Sequence, residues 1–250
     1  MALSDRPRSR YEETLGDTSV PSEYAGAQMT LVEFLALPEE KPRLEWDASL
    51  VPGQERTGSE LLGVVTQKHQ IRDDLLGVVT QKVAPQDDHS QLSRQFLDAF
   101  TRFGEAPHLG LAYVEKRFKL VGWTPVPDVS FYRRERLRPQ SRRRLGEQQG
   151  LPDIAVEIVS PEQRVSSLLR KCLRYAQAGV PVSLIVDQDD ESVIVIRPGQ
   201  PTQVLRGEDR IDLSDVLPDF ELTVDELFAS VVPDWLFDGL EEGDASPPSA

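Results

Sequence analysis

Apolar residues recur at helical spacing in three stretches of the chain, residues 29–37, 88–103 and 161–178. In the first stretch, Thr30 suits an N-cap and Glu33 follows three residues later, which predicts a capping box. In the third stretch, Ser160 and Pro161 favour a helix start and Gly179 favours its end. The pattern therefore predicts three helices that each present one apolar face.

Strand-like alternation fills much of the remaining sequence. It predicts strands over residues 111–121 and 126–132, and a hairpin formed by residues 183–187 and 192–196. Residues 153–159 are apolar on both faces, which is typical of a central strand. A short helix is expected over residues 224–228. The order of these elements predicts a mixed α/β domain with one sheet and helices packed on it.

The ends of the chain and one internal segment differ from this folded pattern. Residues 1–28 are polar and turn-rich, and they are expected to be disordered. Residues 231–250 form an acidic stretch expected to be a flexible tail, which leaves a domain over residues 29–230. The octapeptide LLGVVTQK occurs at 61–68 and again at 75–82. We interpret residues 47–74 as a loop inserted by tandem duplication, and either copy has the propensity to form the strand.

Composition narrows the class of protein. No apolar run approaches the roughly 18 residues of a membrane span, and the first ten residues lack the apolar core of a signal peptide. Cys172 is the one cysteine, so an intrachain disulfide is impossible. These features predict a cytoplasmic protein without a membrane partner.

The net charge of −14 is unevenly distributed. Residues 207–250 hold 13 acidic residues and one arginine, whereas residues 133–144 hold seven arginines and one glutamate. The arginine run is either a solvated face or a phosphate-contacting segment. Net charge alone therefore does not exclude a nucleic-acid partner.

Two carboxylates lie within strand-like apolar runs. Asp128 lies in the predicted strand 126–132, and Glu157 lies in the predicted strand 153–159. Buried charge is costly unless it is paired or binds a cation, so convergence of these residues would suit magnesium. Lys171, on the flank of the third helix, would act at water or phosphate. His89 would add a nitrogen ligand that favours manganese. The simpler alternatives are a turn role for Asp128, a Glu157–Lys171 ion pair, a solvated Lys171 and a capping His89.

Five sequence segments together resemble the Uma family of restriction endonucleases in the PD-(D/E)XK nuclease superfamily. They are, in order, residues 29–35, 126–129, 156–161, 171–181 and 186–187, and the resemblance covers about residues 29–228. It implies a restriction-endonuclease-like fold, namely a single mixed sheet flanked by helices. It also implies a DNA substrate, a Mg²⁺ or Mn²⁺ cofactor, phosphodiester hydrolysis and a homodimer that cuts both strands.

The resemblance also suggests roles for individual residues. Asp128 matches the aspartate of the Pro-Asp element and Glu157 the second acidic residue, both as metal ligands and catalytic residues. Val159 stands where the superfamily carries a lysine, and Lys171 resembles its migrated replacement. Lys171 and Tyr175 are similar in spacing to the Gln-x-x-x-Tyr motif of RecB-like nucleases, which also carry an early histidine that His89 would match.

Two further departures from the family pattern are Ser167, where relatives often carry aspartate, and the duplicated segment. The departures keep an alternative open, a catalytically impaired nucleic-acid-binding or regulatory homologue. A third hypothesis is a structural scaffold in which Glu157 pairs with Lys171.

Overall fold

A computed structural model describes most of the chain between residues 23 and 229. The described ranges are 23–37, 44–48, 76–81, 87–120, 122–137, 139–141, 144–145, 150–161 and 163–229. The α-helices and strands, in chain order, are β1 Gln28–Thr30, α1 Leu31–Ala36, β2 Leu44–Asp47, β3 Leu76–Gln81, α2 Asp87–Phe100, β4 Gly110–Val114, β5 Trp123–Thr124, β6 Val129–Arg133, β7 Pro139–Ser141, β8 Arg144–Leu145, β9 Ile154–Ile158, α3 Val165–Ala178, β10 Val182–Asp187, β11 Ser192–Ile196, β12 Gln203–Arg206 and α4 Val224–Ala229.

The chain divides into two compact units. The first takes its described residues from Met1–Pro85 and Arg117–Val126, and the second from Gln86–Lys116 and Pro127–Ala250. Each unit has its own sheet and its own hydrophobic core.

The first unit is built on a four-stranded sheet in the order β1-β3-β2-β5. Its core consists of apolar side chains from α1, β2, β3 and the residue after β2, namely Leu31, Phe34, Leu44, Trp46, Ala48 and Val79. Gly77 of β3 lies against the indole of Trp46, and a Cβ there would come within 2.2 Å of the ring. The glycine of the octapeptide is thus needed for close packing.

The second unit is built on a six-stranded mixed sheet in the order β12-β11-β10-β9-β6-β4. The β9–β10 pair is parallel, whereas β6 pairs with β9 antiparallel. Alternate residues of β9, namely Ile154, Val156 and Ile158, point into the main core with Phe96 and Phe100 of α2. Glu157 therefore points to the other face, on which α3 buries Leu168, Cys172 and Tyr175.

Several predicted elements are confirmed. Thr30 caps α1 in a complete capping box with Glu33, and β10 and β11 pair as the predicted hairpin. Gly179 ends α3 with a φ of 99°, a left-handed conformation that favours glycine. The central position of β9 is also as predicted.

Three predicted boundaries or groupings need correction. The mixed α/β class holds, but the described strands are divided among three sheets instead of one, because β1, β2, β3 and β5 enclose a separate core. The strand predicted over 111–121 ends at Val114, where Glu115 adopts a φ of 48°. The third helix begins at Val165, because Ser160 instead closes a turn by accepting a hydrogen bond from the Gln163 N–H.

Of the two octapeptide copies, only residues 76–81 of the second lie in the described part, where they form β3 between β1 and β2. Most of the segments 1–28, 47–74 and 231–250 lies outside the described residues, so the predicted domain limits stay predictions. Among the described helices, none combines the length and the apolar character that a membrane crossing requires.

Candidate active site

Asp128 is fixed against the strand that carries Glu157. It directly precedes β6, and its N–H donates to the carbonyl of Val156 at 3.0 Å. Its Oδ2 accepts the N–H of Ile158 at 2.7 Å. Because Val156 and Ile158 flank Glu157, the two hydrogen bonds hold Asp128 beside it. The Asp128 residue is only 3% exposed.

Glu157 is 1% exposed and interacts with two side chains from α3. The Tyr175 hydroxyl donates to Oε1 at 2.6 Å, and Lys171 Nζ donates to Oε2 at 3.1 Å. Lys171 and Tyr175 are four residues apart and therefore share one side of the helix. The Lys171 side chain is only 14% exposed. This excludes the alternative in which Lys171 is a freely solvated helix lysine.

His89 approaches Asp128 from the first turn of α2. Its Nε2 lies 3.4 Å from Asp128 Oδ2. Its Nδ1 is buried and, within the described part of the chain, has no hydrogen-bond partner. Buried polar atoms are usually satisfied, so this imidazole has an unused capacity for a donor or a cation.

The Cys172 thiol lies within electrostatic reach of both carboxylates and of the lysine. Burial raises the pKa of its thiol well above the ordinary value. Glu157 and Asp128 raise the pKa further, whereas Lys171 lowers it. The thiol is fully buried, so it is unsuited to nucleophilic chemistry at neutral pH.

The donor set fits a hard divalent cation. With a neutral imidazole, Asp128, Glu157, Lys171 and His89 together carry a formal charge of −1. The 3.4 Å between His89 Nε2 and Asp128 Oδ2 is close to the roughly 3 Å that separates neighbouring ligands of an octahedral ion with bonds of about 2.1 Å.

Within the described residues, no three His, Cys, Asp or Glu side chains already surround one point. Magnesium commonly takes one or two carboxylates and completes its coordination with water and substrate oxygens. A site with few protein ligands therefore still suits this ion.

The structure thus brings the four predicted site residues together as two contacting pairs, Glu157–Lys171 and Asp128–His89. The direct hydrogen bond from Tyr175 to Glu157 adds a fifth member, and its signal in the sequence was the four-residue spacing from Lys171. Sequence reasoning missed Gln188, which donates to the carbonyl of Val159 at 3.1 Å. No local pattern marks that contact, since it joins the ends of two strands.

Comparison with protein families gives one match. The model described as "Uma2: Putative restriction endonuclease" matches residues 66–225, which include all five site residues. A search of curated proteins finds no match.

Among solved structures, the chain is similar to "a putative nuclease belonging to DUF820" from Anabaena variabilis ATCC 29413. The two share 23% identity with a TM-score of 0.65, over 82% of this chain and 99% of that chain. The likeness shows a common fold, and it confirms the restriction-endonuclease-like α/β architecture. A DrdV–DNA complex is also similar at 15% identity and a TM-score of 0.30, over 58% of this chain and 14% of that one. That resemblance is too weak to carry an argument.

Proposed function

Because this chain belongs to the Uma2 family, we propose that it is a divalent-metal-dependent DNA endonuclease that hydrolyses phosphodiester bonds. The observation that carries the proposal is the cluster of two buried carboxylates, a partly buried lysine and an imidazole whose Nε2 lies 3.4 Å from Asp128 Oδ2. A purely structural scaffold has little reason to bury excess negative charge.

Each residue has a role in this proposal. Asp128, Glu157 and His89 would hold Mg²⁺ or Mn²⁺. The chemistry that such a cation supplies is neutralisation of phosphodiester charge and activation of water. Lys171 would orient the attacking water or bind a phosphate oxygen, since its ammonium already lies 3.1 Å from Glu157. Tyr175 would fix the Glu157 rotamer by donating to its other oxygen.

The direct test is cleavage of supercoiled plasmid DNA by purified protein in Mg²⁺ or Mn²⁺. The parent protein should nick or linearise the plasmid, and Asp128→Ala should abolish the reaction. Asp219→Ala is a matched control, because Asp219 also follows a proline but is exposed, and it should cut like the parent. Equal cutting by Asp128→Ala and the parent would contradict the assignment.

One observation favours a second candidate, a nucleic-acid-binding homologue without catalysis. Val159, two residues beyond Glu157 in the position of the usual superfamily lysine, is a buried apolar residue. In this case DNA would bind in a salt-dependent manner, and neither metal would support cleavage. A cytoplasmic location and a homodimer belong to both candidates, and size-exclusion chromatography with light scattering tests the dimer.

A further inference from the structure

Helix α3 is strongly basic in an acidic chain. It contains Arg170, Lys171 and Arg174 and has no aspartate or glutamate, whereas the whole chain has a net charge of −14. Positive charge concentrated on one helix, without an acidic residue in that helix, attracts a polyanion to it. The same helix provides the lysine and the tyrosine that contact Glu157.

The arginines lie on a defined flank of the helix. Successive residues of an α-helix are rotated by about 100° around its axis. Viewed along the axis of α3, Arg174 lies about 60° and Arg170 about 100° from Lys171. Both lie on the side of Lys171 that faces away from the buried residues Leu168, Cys172 and Tyr175. Arg170 is exposed and Arg174 half-buried. Leu173, which is 44% exposed, lies about 60° beyond Arg170, so an apolar residue borders this flank. A continuous basic flank therefore leads outward from Glu157, through Lys171, to solvent.

The arginine-rich segment 133–144 is less suitable than α3 for binding a polyanion. Arg133 and Arg136 both bind the carboxylate of Asp153, at 2.9 and 3.0 Å. That carboxylate lies at the far end of β6 from Asp128, because β6 and β9 are antiparallel. Two of the described arginines of the run are therefore already used within the fold.

We propose that Arg170 and Arg174 bind phosphates of the DNA strand that enters the Asp128–Glu157 cluster. The inference rests on the proposed function, since it takes DNA as the partner. Guanidinium groups suit this task because they offer two parallel donors to phosphate oxygens. The Ser167 hydroxyl accepts from Arg170 Nη2 at 3.1 Å and orients that side chain.

Equilibrium binding of a fluorescein-labelled DNA duplex, measured by anisotropy in Ca²⁺ over a series of NaCl concentrations, tests the inference. Each phosphate contact contributes about 0.9 to the slope of log K against log salt, so Arg170→Gln/Arg174→Gln should reduce that slope by about 1.8. Arg170→Lys/Arg174→Lys keeps the charge and should keep most of the slope. Circular dichroism of each variant checks the fold.

The matched control is Arg206→Gln/Arg210→Gln. It removes the same charge from exposed positions near β12, which pair with Asp190 and Glu221, and it should bind like the parent. The inference is overturned if the Arg170/Arg174 variant binds like the parent, if the control loses as much, or if the parent does not bind DNA. Binding without cleavage by the parent, with the expected loss of slope, would support this surface and contradict the nuclease proposal instead.

Discussion

Two buried carboxylate centres occupy opposite ends of the same strand pair, β6 and β9. At one end Asp153, which is fully buried, accepts from Arg133 Nε, Arg133 N–H and Arg136 Nε. At the other end Glu157 pairs with Lys171, and His89 lies beside Asp128. The arginines of the first centre are 42% and 33% exposed, so its positive charge reaches water.

The Asp153 centre and the Asp128–Glu157 centre differ in the formal charge that their paired side chains carry together. Counting only the ion pairs named above, one carboxylate with two guanidinium groups carries a formal charge of +1 that solvent can screen. Two carboxylates with one ammonium and a neutral imidazole carry a formal charge of −1 in a buried place. A neutralised buried carboxylate anchors a fold, but an under-neutralised one needs a proton or a cation. Burial alone therefore does not identify a functional carboxylate, and the sign of the remaining charge is more informative.

The largest expected effect of any substitution is the loss of DNA cleavage in the Glu157→Gln variant. The amide still accepts from Tyr175 but loses the negative charge, so the cleavage rate should fall about 1,000-fold. The free energy of unfolding should change by less than about 1 kcal/mol, since a buried charge is also removed. Plasmid cleavage and urea denaturation measure the two quantities. If Glu157→Gln is strongly destabilised but cleaves DNA normally when folded, Glu157 has a structural and not a catalytic role.

At the other centre, Asp153→Ala should reduce stability. It leaves two guanidinium groups and the Arg133 N–H without their acceptor, which should cost about 3 kcal/mol of unfolding free energy. The control is Asp190→Ala, which breaks an exposed pair with Arg206 and should cost less than about 1 kcal/mol. Similar losses in the two variants would show that Asp153 is not an anchor.

Tyr175→Phe should moderately reduce the metal affinity of the Asp128–Glu157 centre and leave the Asp153 centre unchanged. It removes the 2.6 Å hydrogen bond to Glu157 but keeps the buried ring. Loss of a partner that orients a metal ligand commonly costs about tenfold or more in metal affinity. Titration with Mn²⁺ measures that shift, and an unchanged affinity would mean that Glu157 does not depend on Tyr175 for its orientation.

The smallest effect is expected between the two centres, where Tyr113, Ser130 and Ser183 align across the sheet through Ala155. Within the described residues, the hydroxyls of Tyr113 and Ser183 are buried without a hydrogen-bond partner. Ser183→Ala should therefore change the unfolding free energy by no more than about 0.5 kcal/mol. A thermal melt that reveals a large loss would indicate that this row also belongs to a polar network.

The sequence predicted the helix phase of α3 well, because the apolar stripe placed Lys171 and Tyr175 on one flank. It did not distinguish the two centres, since Pro127-Asp128 and Pro152-Asp153 both precede apolar strands. Only the antiparallel pairing of β6 and β9 brings Arg133 and Arg136 to Asp153 and not to Asp128. The separate core of the first unit was also missed, because β2 and β5 have only four and two residues and show little periodicity.

The most direct test of a cation site at Asp128 and Glu157 is a titration of the protein with Mn²⁺, in which electron paramagnetic resonance counts the free ion. We expect one strong site per chain in the parent and in Asp219→Ala. We expect that Asp128→Asn, which keeps an acceptor for the Ile158 N–H, loses that site while remaining folded. Absence of binding in the parent, or equal binding in Asp128→Asn, would contradict the claim that Asp128 and Glu157 form a cation site.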